Sequence, residues 1–401
     1  MPSSRVLLIG GWHLLSGLNH RVRHMAAYFE ERFASLDIVG YKKMYGGIPA
    51  SPMTKLHTGL NNLLHDRISI ASRNGTRNIT IRDIYAPPFV EMGIKDLWRY
   101  WNLCQCITTP YDVAVYGYPG NTWTAFLLKR SGRVKKLVYD DWDYHPGLET
   151  NPLLANKVER LERLSARTAD VVITVNGLLA ELRTQQGAQR AEVIPNGINL
   201  SLFSQARHKT QHPPTLLYMG SLSSLWNVEL AIHAMPALAR QIPNVRLLIA
   251  GYGPAEASLR KLSQQLGVEA QVQFLGVFAY DALPSLLAQA DIGITTAHPQ
   301  SSFRRYASPL KIIEYMAAGL PVIANRLGQT EIIINESGAG LLVENSPEEF
   351  AQAAASLLLD PARYAAFSRA ALNYASAFDW NLLLEKAYRV VLDLLNSDGT
   401  P

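Results

Sequence analysis

The sequence predicts an α/β protein built from two doubly wound domains in series. Short apolar runs of strand length alternate with amphipathic helical stretches along most of the 401 residues. That alternation is the pattern of a parallel sheet covered on both faces by helices. The pattern breaks at a polar, proline-containing stretch, SQARHKTQHPP (204–214), and then restarts. With 48% hydrophobic residues the chain has enough apolar material for two cores.

In order along the chain, RVLLIGG (5–11) reads as a buried strand, 19–33 as a helix and LDIVGY (36–41) as a second strand. This opening resembles a Rossmann-like βαβ, but GGWHLLSG lacks the G-x-G-x-x-G spacing of a dinucleotide site. Gly11 and His13 fall at the carboxyl end of the first strand, where a ligand would approach. Residues 42–100 mix Lys42, Lys43, Lys55, Arg67, Arg73, Arg77 and Arg82 with glycines and give no clear period. The stretch 87–107 then reads as an aromatic-rich amphipathic helix. Its Trp98, Tyr100 and Trp101 suit either a bilayer interface or an internal core. A strand and glycine loop at 112–120 carries Tyr118, followed by a helix near 123–129, a strand at 135–143, a helix at 149–169 and a strand at 170–176, and AEVIPNGIN (191–199) ends the first α/β unit. After the break come strands TLLYMGS, VRLLIAGYG, VQFLG, DIGITTA, PVIAN and GAGLLVE, with helices between the earlier ones. The expected division is 1–200, a linker at 201–214, a second domain at 215–375, and a segment 376–401 whose helix (380–395) crosses back to the first domain.

Charge is unevenly placed. Residues 1–205 hold 24 Lys and Arg against 17 Asp and Glu, a net +7, whereas the remainder holds 14 against 16, a net −2. The basic half suits an anionic partner such as lipid headgroups, and no nucleic-acid-binding motif accompanies it. Cys104 and Cys106, one residue apart, form neither a disulfide framework nor a zinc spacing. With no spanning run and no leader pattern, the expected location is cytoplasmic, with peripheral contact at the inner face of the plasma membrane.

The stretch 308–324, SPLKIIEYMAAGLPVIA, has every boundary marked. Ser308 is expected as N-cap and Pro309 as first helical residue, Gly319 closes the helix, and a buried strand follows Pro321. Leu310, Ile313 and Ala317 form the core stripe. Lys311 and Glu314 share another face near the positive end of the helix, which suits a phosphate and sugar hydroxyls. The plainer reading of that pair is a solvated ion pair.

These motifs together resemble the glycosyltransferases of the two-Rossmann-domain (GT-B) type, especially the large bacterial family numbered four. The residues carrying the resemblance are ADVVITVN, IPNGIN with Phe203, LLYMGSL, LLIAGYGP, VQFLGVF, LLAQADIGI and KIIEYMAAGLPVIAN. The resemblance implies that the second domain holds a nucleotide-diphosphate sugar and the first an acceptor, with reaction in the cleft between them. Glu314 matches the second Glu of the family's paired motif, but Tyr306 stands where the first would be. The family's pyrophosphate-gripping Arg and Lys are replaced by Ser221 and Trp226, leaving Arg304, Arg305 and Lys311 as the nearest cations. The implied donor set is Gly220, Ser221, Gly251, Gly253, Val277, Arg304, Arg305, Ser308, Pro309, Leu310, Lys311 and Glu314. Gly11, His13 and Tyr118 are on the acceptor side. SPLK with YDDWD is closer to a branch related to the xanthan glucuronosyltransferase, which inverts with an aspartate base. Asp143 falls at that aspartate's position.

The resulting expectation is a glycosyltransferase using a UDP- or GDP-linked sugar, without metal or other cofactor. Its acceptor would be lipid-linked or a polysaccharide, in envelope or exopolysaccharide synthesis. A nucleotide-sugar epimerase and a non-catalytic nucleotide-sugar binding protein are the alternatives. Asp140, Asp141 and Asp143 stand close enough for repulsion to raise one carboxyl's pKa. Strand alternation puts Asp141 and Asp143 on one face and Asp140, the structural member, on the other.

Overall fold

The computed structural model describes residues 4–10, 20–42, 53, 68–72, 78–85, 92–207, 211–298 and 302–397. They divide into two compact units, 1–195 with 383–401, and 196–382.

The first unit is built on a sheet of strands β1 (Arg5–Ile9), β2 (Ser35–Lys42), β3 (Ile68–Ser72), β4 (Asn78–Tyr85), β5 (Tyr111–Tyr116), β6 (Val134–Asp141), β7 (Val171–Thr174) and β8 (Ala191–Val193). Their order is β3-β4-β2-β1-β5-β6-β7-β8. All neighbours are parallel except β3 and β4, an antiparallel pair on the edge. The strand order reverses between β1 and β5, the place where such sheets open a crevice at their carboxyl ends. The near-continuous burial of β1 and β5 and the complete burial of β7 are what a sheet covered on both faces requires. Trp98 and Tyr100 of helix Met92–Cys106 pack against this core, whereas Trp101 is 60% exposed. The interface reading of the aromatic helix therefore keeps Trp101 and loses the other two.

The second unit carries β9 (Thr215–Met219), β10 (Arg246–Ala250), β11 (Val272–Gly276), β12 (Ile292–Thr295), β13 (Val322–Asn325) and β14 (Gly340–Val343). Their order is β11-β10-β9-β12-β13-β14, and every pairing is parallel. This is the 3-2-1-4-5-6 arrangement of the dinucleotide-binding folds, with its reversal between β9 and β12. Helix Leu310–Ala317 follows β12, so its N-terminus lies on the carboxyl side of that reversal.

Helix Trp380–Asn396 begins in the second unit and ends in the first. Within the first unit, Tyr388 meets Tyr28, Phe29 and Phe33 edge to face at 6.4, 6.1 and 5.2 Å, and the Tyr28 hydroxyl donates to Glu385 at 2.7 Å. No described helix is long and apolar enough to cross a membrane.

Candidate functional site

In the second unit, helix Leu310–Ala317 starts one residue later than its sequence suggests. Pro309 is the N-cap (φ −74°, ψ 108°) and no side chain caps the first turn, so Ser308 does not have the expected capping role. The carbonyl of Pro309 accepts from the amide of Ile312 at 3.2 Å. At the other end Gly319 adopts φ +76°, Gly319 N–H bonds Met316 O at 2.9 Å and Leu320 N–H bonds Tyr315 O at 2.9 Å. That pair of bonds is a Schellman closure, which a residue with a Cβ would strain.

The helix is not half-solvated. Every residue from Lys311 to Ala317 is buried, with Lys311 9% and Glu314 8% exposed, which removes the solvated-ion-pair reading. The Lys311 ammonium lies 3.5 Å from the centroid of the Trp226 ring and 4.4 Å from that of Tyr218. Trp226, which stands where the family places a cation, therefore presents one from elsewhere in the chain. The Trp226 backbone is fixed by the Thr296 hydroxyl, which donates to its carbonyl at 2.5 Å. Burial pushes the Glu314 carboxyl up to about 7 against the opposing pull of Lys311.

The loop after β9 closes on the ammonium, and the loop after β10 packs on that loop. A Cβ on Gly220 would stand 2.6 Å from Lys311 Nζ. Gly251 has φ +147°, and a Cβ there would fall 1.8 Å from the carbonyl oxygen of Gly220, so this glycine is demanded by the neighbouring loop itself. Gly253 stands in the same relation to Leu222 O, at 2.3 Å. Ser221 is exposed, its carbonyl accepting from the Tyr218 hydroxyl at 2.8 Å. Gly251 N–H bonds Gly276 O at 2.7 Å, which sets Val277, 73% exposed, beside the same loop. Ser308 and Leu310 are partly buried and Pro309 is buried. Arg305 is exposed, with its guanidinium 5.8 Å from the Tyr306 ring, and the Arg304 side chain is outside the described residues.

In the first unit, Gly11 and His13 lie outside the described residues. Tyr118 follows β5 with φ +71° and ψ 130°, a conformation costing roughly 1–3 kcal/mol for a non-glycine residue. The head of helix Thr122–Arg130 beside it is occupied by a side chain of the same unit. Asp96 accepts from the amides of Trp123 at 2.6 Å and Thr124 at 3.1 Å, and burial lifts its carboxyl to about 6. An anion thus finds this helix head filled, while that of Leu310–Ala317 has no side-chain cap.

The three aspartates at and after the end of β6 separate cleanly. Asp140 is buried and takes Arg21 on both oxygens, each 2.9 Å from Nε, while Arg21 Nη1 donates to the carbonyls of Ile194 and Pro195. Asp141 is buried too and held by Arg183, 2.6 Å from Nε to Oδ2. β6 ends at Asp141, so Asp143 is a half-buried loop residue and the alternation argument does not reach it. Burial, the largest effect, raises the Asp141 carboxyl above its usual range; the expected repulsion among three neighbours is not the chief cause. Asp141, His145 and Glu162 bring ligand atoms within 4.8 Å of one another, but the cation the two carboxylates share is Arg183. Sequence reasoning missed His145, Glu162 and Arg183, which lie in three separate elements with no common spacing.

Residues 202–374 match the family model of glycosyl transferases group 1. Among curated proteins, the chain is 28% identical over 223 residues to a GDP-mannose-dependent alpha-(1-6)-phosphatidylinositol monomannoside mannosyltransferase of Mycobacterium tuberculosis, covering 53% of this chain and 57% of the relative. It is 31% identical over 229 residues to the corresponding dimannoside mannosyltransferase of the same species, covering 54% and 56%. The chain thus spans little more than half the length of these relatives. Among solved structures it is similar to sucrose-phosphate synthase from Thermosynechococcus elongatus, with a TM-score of 0.71, 18% identity and coverage of 98% of this chain and 100% of that one. Anabaena HepE in complex with UDP gives a TM-score of 0.69 at 18% identity, covering 97% and 100%. These likenesses establish the fold: two Rossmann-like domains of the GT-B kind.

Proposed function

With a group 1 glycosyl transferase domain over residues 202–374, we propose that this chain transfers a sugar from a nucleotide-diphosphate sugar to a lipid-linked or polysaccharide acceptor, in bacterial envelope or exopolysaccharide synthesis. The observation that carries the reading is the head of helix Leu310–Ala317, where a buried lysine and a buried glutamate stand one turn apart on a helix without a side-chain cap. Lys311 and the helix dipole meet the diphosphate, and Glu314 accepts from sugar hydroxyls. Asp143 removes the acceptor hydroxyl proton as its oxygen bonds the anomeric carbon and the bond to the diphosphate breaks. One displacement of this kind inverts the anomeric centre. The departing diphosphate takes the electron pair and is stabilised by Lys311 without a metal ion. The donor is UDP- or GDP-linked: the mannosyltransferase relatives are named for GDP-mannose and HepE was solved with UDP.

The test is a thermal-shift panel of UDP, GDP, ADP, CMP and their sugars, followed by transfer assays with the donor that stabilises most. A ligand at a hundredfold excess over Kd adds about 2.7 kcal/mol. Donor conversion without acceptor would instead indicate an epimerase, and tight binding without turnover a non-catalytic binder, the reading favoured by Ser221 and Trp226 at the usual cation positions. Turnover abolished by EDTA and restored by magnesium would refute metal independence.

A further inference from the structure

Four buried ionisable side chains meet behind the loop that follows β6, and the proposed chemistry uses none of them. Arg183, from helix Gly177–Gln185, bonds Asp141 through Nε at 2.6 Å and Glu162 through Nη2 at 2.7 Å, and its Nη1 donates to Gln186 at 2.8 Å. The Tyr139 hydroxyl adds a bond to Asp141 at 3.1 Å. Glu162, from helix Pro152–Thr168, turns its other oxygen to His145, 3.2 Å from the backbone amide and 3.0 Å from Nδ1.

Two carboxylates and one guanidinium leave one negative charge in a buried place, which is costly unless paired. An imidazolium at His145 cancels it. Burial alone would lower the His145 pKa, but the bond to Glu162 and the charges of Glu162, Asp143 and Asp141 overcome that and raise it above the ordinary 6.5. The ring then reaches outward. It meets Tyr118 edge to face at 5.3 Å and Trp142 at 6.2 Å, and the Trp142 ring covers Gly117, where a Cβ would lie 1.8 Å from a ring carbon. His145 is the joint between a rigid buried network and the loop bearing Asp143.

Resting on the reading of Asp143 as base, we propose that His145 is a positioning residue: its imidazolium, anchored on Glu162, fixes the 142–148 loop and with it the Asp143 carboxylate and the Tyr118 ring. The groups facing His145 are Glu162 from one helix, Asp141 from β6, Asp143 of its own loop and Tyr118 after β5, with Arg183 and Tyr139 behind the carboxylates and Glu149 acting on Tyr118. A raised histidine pKa means that the clamp is fully present below about 6.5 and is lost as pH rises through the folded-state value. Deprotonation removes a charge-assisted bond and leaves one uncancelled negative charge near Asp143.

The experiment uses the full chain labelled with 5-fluorotryptophan, with the Trp142 resonance assigned by Trp142→Phe and followed by fluorine NMR from pH 6 to 9, beside the pH profile of transfer. The expected result is one Trp142 titration step above pH 6.5, absent in His145→Gln, with wild-type turnover falling at the same midpoint. His145→Gln should lose turnover about 10²-fold, the cost of a reacting group displaced by an ångström, with donor Kd unchanged and the alkaline limb gone. A Trp142 resonance that does not titrate, or that titrates unchanged in His145→Gln, overturns the proposal; the wild-type titration needs no variant to fold. Full turnover by Asp143→Asn beside an intact Trp142 step overturns Asp143 as base, a failure separate from that of the clamp.

Discussion

The ammonium of Lys311 lies 3.5 Å from the centroid of the Trp226 ring, so an aromatic face in the loop after β9 holds the cation at the head of helix Leu310–Ala317. Lys311→Ala should weaken nucleotide-diphosphate binding by about 1.5–3 kcal/mol, the range for a hydrogen bond to a charged group. Trp226→Leu should cost less, about 0.5–2 kcal/mol, because it removes the platform and keeps the charge. Titration calorimetry with the preferred nucleotide measures both, and affinities equal to wild type would separate this helix head from the donor.

Glu314 predicts a pH dependence of stability. Its folded-state pKa of about 7 lies above the ordinary 4.5, so the folded protein holds a proton that the unfolded chain has released. Stability should therefore fall as pH rises from about 4.5 through about 7, by about 3 kcal/mol in all from this group. Glu314→Gln should flatten that fall in thermal denaturation between pH 5 and 8. It should also weaken nucleotide binding and remove a rise in affinity with pH, because only the carboxylate accepts from two hydroxyls at once. A wild-type curve that is level across this range would contradict the shift.

The aspartates at and after the end of β6 should divide into two kinds. Asp140→Asn strips the buried Arg21 guanidinium of its carboxylate and should destabilise by about 3–5 kcal/mol in denaturant unfolding, and Asp141→Asn should destabilise by less, because Arg183 keeps Glu162. Asp143→Asn should stay within about 1 kcal/mol of wild type, keep donor affinity and lose about 10²–10⁴ in turnover. Proton NMR of the first-formed glycoside should show an inverted anomer. A retained anomer, or turnover within tenfold of wild type, would remove Asp143 as base.

Membrane contact is expected from the basic first half and the exposed Trp101. The protein should sediment with anionic vesicles at low salt and release them as salt rises, since exposed charges are screened over about 8 Å at physiological ionic strength. Trp101→Ser should reduce the bound fraction at every salt concentration. No sedimentation at low salt would count against the surface.

Both sheets were legible because parallel strands buried on two faces write themselves as continuous apolar runs between helices. What escaped was set by partners. Pro309 has the same φ at an N-cap as at a first helical position, so the sequence could not choose the helix start. Lys311 and Glu314 look solvated on a helical wheel, yet both are buried, Lys311 beneath the loop that follows β9. The end of β6 is fixed where its pairing with β7 stops, Asp141 against Thr174, which the letters YDDWD do not encode. The edge pair β3 and β4 sits in a basic, glycine-broken stretch that gives no clear period in sequence. The Arg183 network joins positions up to 42 residues apart, and only packing brings them together.

Tyr388→Ala should destabilise the first unit by about 3 kcal/mol, because the ring closes an aromatic group with Tyr28, Phe29 and Phe33. Chemical denaturation followed by near-ultraviolet circular dichroism measures it, and an unchanged midpoint would show the packing to be incidental.

That docking also orders events during synthesis. A ribosome makes residue 28 long before residue 388, and all of 196–382 is made in between. Helix His20–Glu30 must therefore wait, its aromatic face uncovered, until the polypeptide that seals it has emerged. The unit encoded first is the one completed last. For this chain, translation that stalls or terminates anywhere after the first sheet releases a product with an open apolar seam, the kind of surface that chaperones and proteases recognise.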